Sequence, residues 1–79
     1  MIKVIKDKPP TLKEAQAFVG GSVQLLELSD GRQMLIDEEG KLKRKRRNME
    51  ATLMAVDILS ERDYIVGPAL ILEGKAKWK

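Results

Sequence analysis

The sequence predicts a small α+β domain whose elements run β-α-β-β-α-β. Three observations carry that prediction. Asp30-Gly31 sits between two apolar runs, Thr11 and Glu14 bracket the start of an amphipathic stretch, and Asn48 opens a second one. Two packings fit the order: a ferredoxin-like sandwich, or a small bent sheet or half-barrel with two helices against it. The 79 residues make one domain, with a folded core over 1–73 and a basic tail over 74–79.

Taken in order, Ile2 and Val4 alternate with Lys3, which reads as a first strand. Asp7 to Pro10 breaks it, because two prolines cannot donate ladder hydrogen bonds. Thr11 and Glu14 then form a capping box, each satisfying a free amide at the other's end. Leu12, Ala15, Phe18 and Val19 fall on one stripe of the helix that follows, and Gly20-Gly21 ends it with a left-handed cap.

Gly20 to Gly40 is the centre of the chain and reads as a hairpin. A two-residue type I′ turn at Asp30-Gly31 places Leu28 opposite Gln33, Leu26 opposite Leu35 and Leu25 opposite Ile36. Both faces of the pair are then partly apolar, so the hairpin is expected to be covered on both sides. Arg32 reaches diagonally toward Glu27. Asp37-Glu38-Glu39-Gly40 stops the second strand as an acidic turn.

Asn48 caps a second helix over Met49 to about Ser60, with Met49, Leu53, Val56 and Leu59 as its inner stripe, widened by Ala51, Ala55 and Ile58. Tyr64 to Val66 is a strand broken at Gly67-Pro68 and resumed as Ala69 to Leu72. The last six residues carry Trp78 between two lysines, a free tail by default.

Composition excludes more than it assigns. With no cysteine and no histidine, disulfides, thiol nucleophiles, imidazole bases and the usual zinc ligands are absent. No run of apolar residues is long enough to span a bilayer, and no membrane partner is expected. No serine, lysine or carboxylate spacing marks a catalytic site, so the chain is expected not to be an enzyme and to use no cofactor. Asp37, Glu38 and Glu39 could hold a divalent cation, but contiguous carboxylates alternate direction, and a solvated turn is the preferred reading. A chain this short buries only roughly 60% of its unfolded surface, which favours a homo-oligomer.

The sharpest feature is charge. Lys41, Lys43, Arg44, Lys45, Arg46 and Arg47 lie within seven residues; removing those six charges from the net +3 leaves −3 for the rest. A mildly acidic body therefore carries one concentrated basic segment. Such a segment can neutralise phosphates and release counterions, giving salt-sensitive, sequence-independent nucleic-acid binding. It can also meet an acidic protein, stay a solvated loop, or be neutralised by the acidic turn Asp37 to Glu39 beside it. No aromatic residue interleaves with the cations, which counts against base stacking.

Gly20-Gly21, Leu28, Asp30-Gly31, Asp37-Glu38-Glu39-Gly40-Lys41-Leu42, Asn48, Ala51-Thr52 and Ile65-Val66-Gly67 together resemble a small domain of unknown function found in phages, prophages, plasmids and bacterial accessory genes. The resemblance spans roughly residues 18 to 72. It implies a non-enzymatic accessory protein in a bacterial cytoplasm, with no catalytic residue to transfer. The basic run departs from that pattern, which leads one to expect a shorter, more neutral or proline-bearing link before the asparagine. The alternative function in the same setting is a host-protein inhibitor or small-ligand sponge acting through a sheet edge or an oligomer interface.

Overall fold

The computed structural model describes residues 1–79. Four strands, β1 (Ile2–Ile5), β2 (Val23–Glu27), β3 (Gln33–Asp37) and β4 (Ala69–Leu72), form one open mixed sheet in the order β1-β4-β3-β2. Helix α1 (Leu12–Val19) follows β1, and α2 (Met49–Met54) lies between β3 and β4. The α+β class and the β-α-β-β-α-β order hold. No helix is long and apolar enough to cross a membrane.

Side-chain content sorts the strands. β3 and β4 are buried at every position and take the centre, as near-continuous apolar runs do when both faces are covered. β1 and β2 mix exposed and half-buried residues and take the edges. β1 pairs parallel with β4, Ile2 facing Ala69 and Ile5 facing Leu72; β3 pairs antiparallel with both β4 and β2.

The two helices cover opposite faces. Ala15 of α1 packs with Leu35, Leu70, Leu72 and Ala76. Ala51 and Ala55 pack on the other side with Met34, Ile36, Ile65, Ala69 and Ile71. Neighbouring residues of one strand thus enter different cores, as the two-sided apolar pattern of the hairpin predicts. This departs from a ferredoxin-like sandwich, where both helices share one face; the sheet is open and flanked on each side.

The hairpin register differs from the expected one by one residue: Leu25 faces Leu35 and Leu26 faces Met34. The turn is the reason. Gly31 has φ 93°, while Asp30 is not left-handed, so a type I′ turn is excluded. The Gly31 amide instead donates to the Leu28 carbonyl, and the Leu28 amide to Arg32. A tight turn followed by one left-handed glycine adds a residue to the loop and shifts every pair. Arg32 pairs with Asp30 and Glu73 and not with Glu27.

Both predicted caps are present. The Thr11 hydroxyl accepts from the Glu14 amide while Glu14 accepts from Thr11, and Gly20 closes α1 at φ 85°. The Asn48 side chain accepts from the Ala51 amide. Helix α2 is shorter than expected, and its inner face is different. Ala51 and Ala55 are fully buried, with Met54 and Leu59 packed against that core. Met49, Leu53 and Val56 are 60, 67 and 63% exposed and face away from it.

Residues 74–79 are not a free tail. Gly74–Ala76 form a 3-10 turn and Ala76 is buried. Gln33 and Trp78 exchange two hydrogen bonds of 2.7 Å, and the indole N–H donates to the Pro10 carbonyl at 2.9 Å.

Candidate nucleic-acid interface

The basic segment leaves β3 through a hydrogen-bonded reversal. The amides of Lys43, Arg44 and Lys45 donate to the carbonyls of Glu39, Lys41 and Gly40. Arg44 adopts a left-handed backbone, φ 57°. From there the chain runs extended to an antiparallel bridge between Arg47 and Val66. Extended backbone sends successive side chains to opposite sides, and Lys45 is half-buried while Arg46 beside it is exposed.

The lysines turn inward. The Nζ atoms of Lys43 and Lys45 lie 2.9 and 2.8 Å from Asp37 Oδ2, and the Asp37 side chain is fully buried. The same ammonium groups donate to the carbonyls of Gly20 and Val19, at 3.1 and 2.6 Å. Those carbonyls end α1, where orphan acceptors and the negative end of the helix dipole both favour a cation. Gly21 makes room: a Cβ there would stand 2.8 Å from the Asp37 carboxylate. Burial alone would raise the Asp37 pKa. The two ammonium groups and the Glu39 amide outweigh it and hold the carboxyl well below the usual carboxylate range.

Lys41 pairs with Asp63, and its ammonium lies 4.6 Å from the Tyr64 ring centroid. The hydrogen bond from Lys41 depresses the Asp63 pKa. The Arg47 guanidinium stands over the same ring at 4.1 Å, a cation–π contact that leaves its N–H edge free to bind elsewhere. Arg44 and Arg46 are exposed, and neither has a carboxylate partner. Of the six predicted residues, Lys43 and Lys45 share the Asp37 carboxylate, Lys41 pairs with Asp63 at the surface, and Arg44, Arg46 and Arg47 are exposed without a carboxylate partner.

The acidic turn beside the basic run meets it through Asp37 alone, and Tyr64 is the partner that the sequence did not indicate. Residue parity is the signal for Asp37: it lies two positions from buried Leu35 and shares that residue's face. No group of three acidic side chains converges to hold a metal ion. Asp37 points into the protein onto two lysines, whereas Glu38 and Glu39 are exposed.

The segment also borders a half-open cleft of about 320 Å³. Leu26 of β2, Ile36, Ile58, Leu59 and Tyr64 line it, with Lys41 and Asp63 at its rim. Several turn and cap residues around the segment form one hydrogen-bonded frame. Asn48 Nδ2 donates to the carbonyls of Met1 and Gly67; the Thr52 hydroxyl donates to Asn48 and accepts from Ile65. This frame holds the chain where the basic run enters α2.

No curated protein and no solved structure matches the chain. The family described as Domain of unknown function (DUF3846) matches residues 1–78, and the chain belongs to that family.

Proposed function

We propose that the protein is a non-enzymatic binding module whose outward arginines, Arg44, Arg46 and Arg47, contact nucleic-acid phosphates. It would serve as an accessory factor of the phage or plasmid kind that the sequence resembles. One observation carries the reading: each lysine of the basic run holds a carboxylate of the molecule, while Arg44 and Arg46 hold none. Guanidinium forks suit bidentate phosphate contact, and lysine suits the compact inward charge. Because the loop is pinned through Lys43 and Lys45, ordering it on binding costs little.

Fluorescence anisotropy with a duplex DNA of arbitrary sequence, titrated with salt, tests this. Three phosphate contacts give a slope of about −2.7 in log K against log salt concentration. Neutralising Arg44, Arg46 and Arg47 together to glutamine abolishes binding. Absence of wild-type binding at low salt sinks the proposal.

A second reading, inhibition of a host protein, is favoured by the cleft and by the outer edge of β2, which pairs with no strand. Pull-down of host protein that survives the triple arginine substitution would select it over the first.

A further inference from the structure

The two edges of the sheet are not alike. β1 carries Lys3, with Lys6 and two prolines just beyond it, and such residues keep an exposed edge from pairing. β2 reads Val-Gln-Leu-Leu-Glu, without lysine or proline, and nothing pairs with its outer side. The Glu38 amide donates to the Ser22 carbonyl and the Leu28 amide to that of Arg32. Antiparallel ladders alternate, so Gln24 and Leu26 direct their backbone groups to β3, and those of Val23, Leu25 and Glu27 face outward. Leu25 is the middle residue of the strand. An antiparallel copy of β2 centred on Leu25 meets it with no outward group left over: Leu25 faces Leu25, and Val23 faces Glu27 at both ends.

The charges say which strand fits. Lys43 and Lys45 share the single Asp37 carboxylate, so one cation there is in excess, and the Lys43 side chain is 39% exposed. The Lys43 ammonium stands where a side chain on Gly21 would lie, on the face of β2 that carries Val23, Leu25 and Glu27. Glu27 is exposed and pairs with no cation of its own chain. Arg32 and Lys77, in and beside the same hairpin turn, are held by Asp30 and by the Gly31 carbonyl. In the two-fold register, Glu27 of one copy lies opposite Val23 of the other and diagonal to its Gly21, within reach of Lys43.

The remaining charges do not oppose this. Glu39 is exposed beside Asp37 and pairs with neither lysine. On the other face Gln24 meets Leu26, Lys41 and Asp63 pair with each other, and Glu38, the neighbour of Ser22, comes beside the Leu28 row of the second copy. Lys13 and Glu14 lie in the first turn of α1, at the end away from Gly20. Space permits the pairing as well. Helix α1 lies over β2, β3 and β4. Three strand spacings separate β3 from its counterpart, about 14 Å, which admits two helices of about 10–12 Å side by side.

We infer that a second copy of this chain pairs there, β2 against β2 and antiparallel about a two-fold axis at Leu25, joining the two sheets into one, with Glu27 of each copy beside Lys43 of the other. Arg44, Arg46 and Arg47 take no part, so the dimer goes beyond the nucleic-acid reading and does not depend on it. It does occupy the edge that the host-protein reading uses, and the two exclude each other there.

Sedimentation equilibrium from low-micromolar to millimolar concentration shows a monomer–dimer equilibrium for wild type. Glu27→Lys, at an exposed position, keeps the fold by circular dichroism and weakens dimerisation by about tenfold or more. Glu27→Gln and Lys43→Gln each weaken it, and the two together weaken it little more than the stronger single change, as partners do. Because the chain has no cysteine, Leu25→Cys reports the axis. Facing Cα atoms about 5.5 Å apart allow a disulfide between copies under mild oxidation. Ser29→Cys, exposed and far from the axis, crosslinks much more slowly at the same concentration. A wild-type monomer over the whole range overturns the inference and leaves the β2 edge to another protein. A dimer untouched by Glu27→Lys, or Leu25→Cys crosslinking no faster than Ser29→Cys, overturns it as well.

Discussion

The two helices sit on opposite faces of one sheet and are held by different means. Helix α1 has a reciprocal cap at one end, a left-handed glycine at the other, and a row of Ala15, Phe18 and Val19 against the sheet. Its C-terminal carbonyls receive two ammonium groups that also bind a buried carboxylate. Helix α2 has a single side-chain cap, two inward alanines and its bulk turned outward. The difference teaches that hydrophobicity alone does not orient a helix: over β3 and β4 the fully buried contacts with Met34, Ile36 and Ile71 come from Ala51 and Ala55, while Met54 and Leu59 are buried only in part.

Substitutions sharpen this contrast or break it. The largest effect is expected from Leu35→Ala, beneath α1: a loss of about 4 kcal/mol, typical of removing a fully buried leucine, read from urea unfolding. Asp37→Asn follows at about 3 kcal/mol, toward the low end for a broken buried ion pair because both lysines keep some contact with water. It carries a pH signature. Folding holds the Asp37 pKa below its unfolded value near 3.8. Its contribution is therefore complete above about pH 4 and is lost as the pH falls further, through the folded-state pKa. Urea midpoints measured at pH 7 and pH 3 should drop steeply in wild type and less in Asp37→Asn.

Asn48→Ala removes a cap and two buried donors together and should cost about 2 kcal/mol. Thr11→Ala removes an exposed cap and should cost about 1 kcal/mol. Leu53→Ala, on the outward side of α2, should move the stability of the monomer by less than about 0.5 kcal/mol. A loss of several kcal/mol there would mean that α2 packs like α1, and the contrast between the helices would collapse.

What was legible in the sequence was local. The Thr11–Glu14 box and the Asn48 cap depend on residues three apart, and both form as read. The apolar character of both hairpin faces was equally visible, because strand parity is a property of neighbours. The register was not, because it depended on whether Asp30 as well as Gly31 turned left-handed. The inner face of α2 was misread by weighting side chains by hydrophobicity, when the fully buried positions over Met34 and Ile71 are Ala51 and Ala55. The division of the basic segment and the anchoring of Trp78 rest on distant partners, Asp37, Asp63, Gln33 and Pro10. Parity and the adjoining acidic turn point to Asp37, but no pattern along the chain announces the meetings with Asp63, Gln33 and Pro10.

The place of β4 in the sheet bears on how the molecule is made. β4 lies between β1 and β3 and is the last strand in the chain, so β1 has no neighbour to bond until residues 69–72 emerge from the ribosome. The hairpin and α1 can assemble early on short loops, while the first strand waits for a closure spanning nearly the whole chain. Synthesis therefore passes through a stage in which the leading end is tethered but unpaired. Nascent chains stalled before residue 69 should leave that end open to protease, and released chains should not.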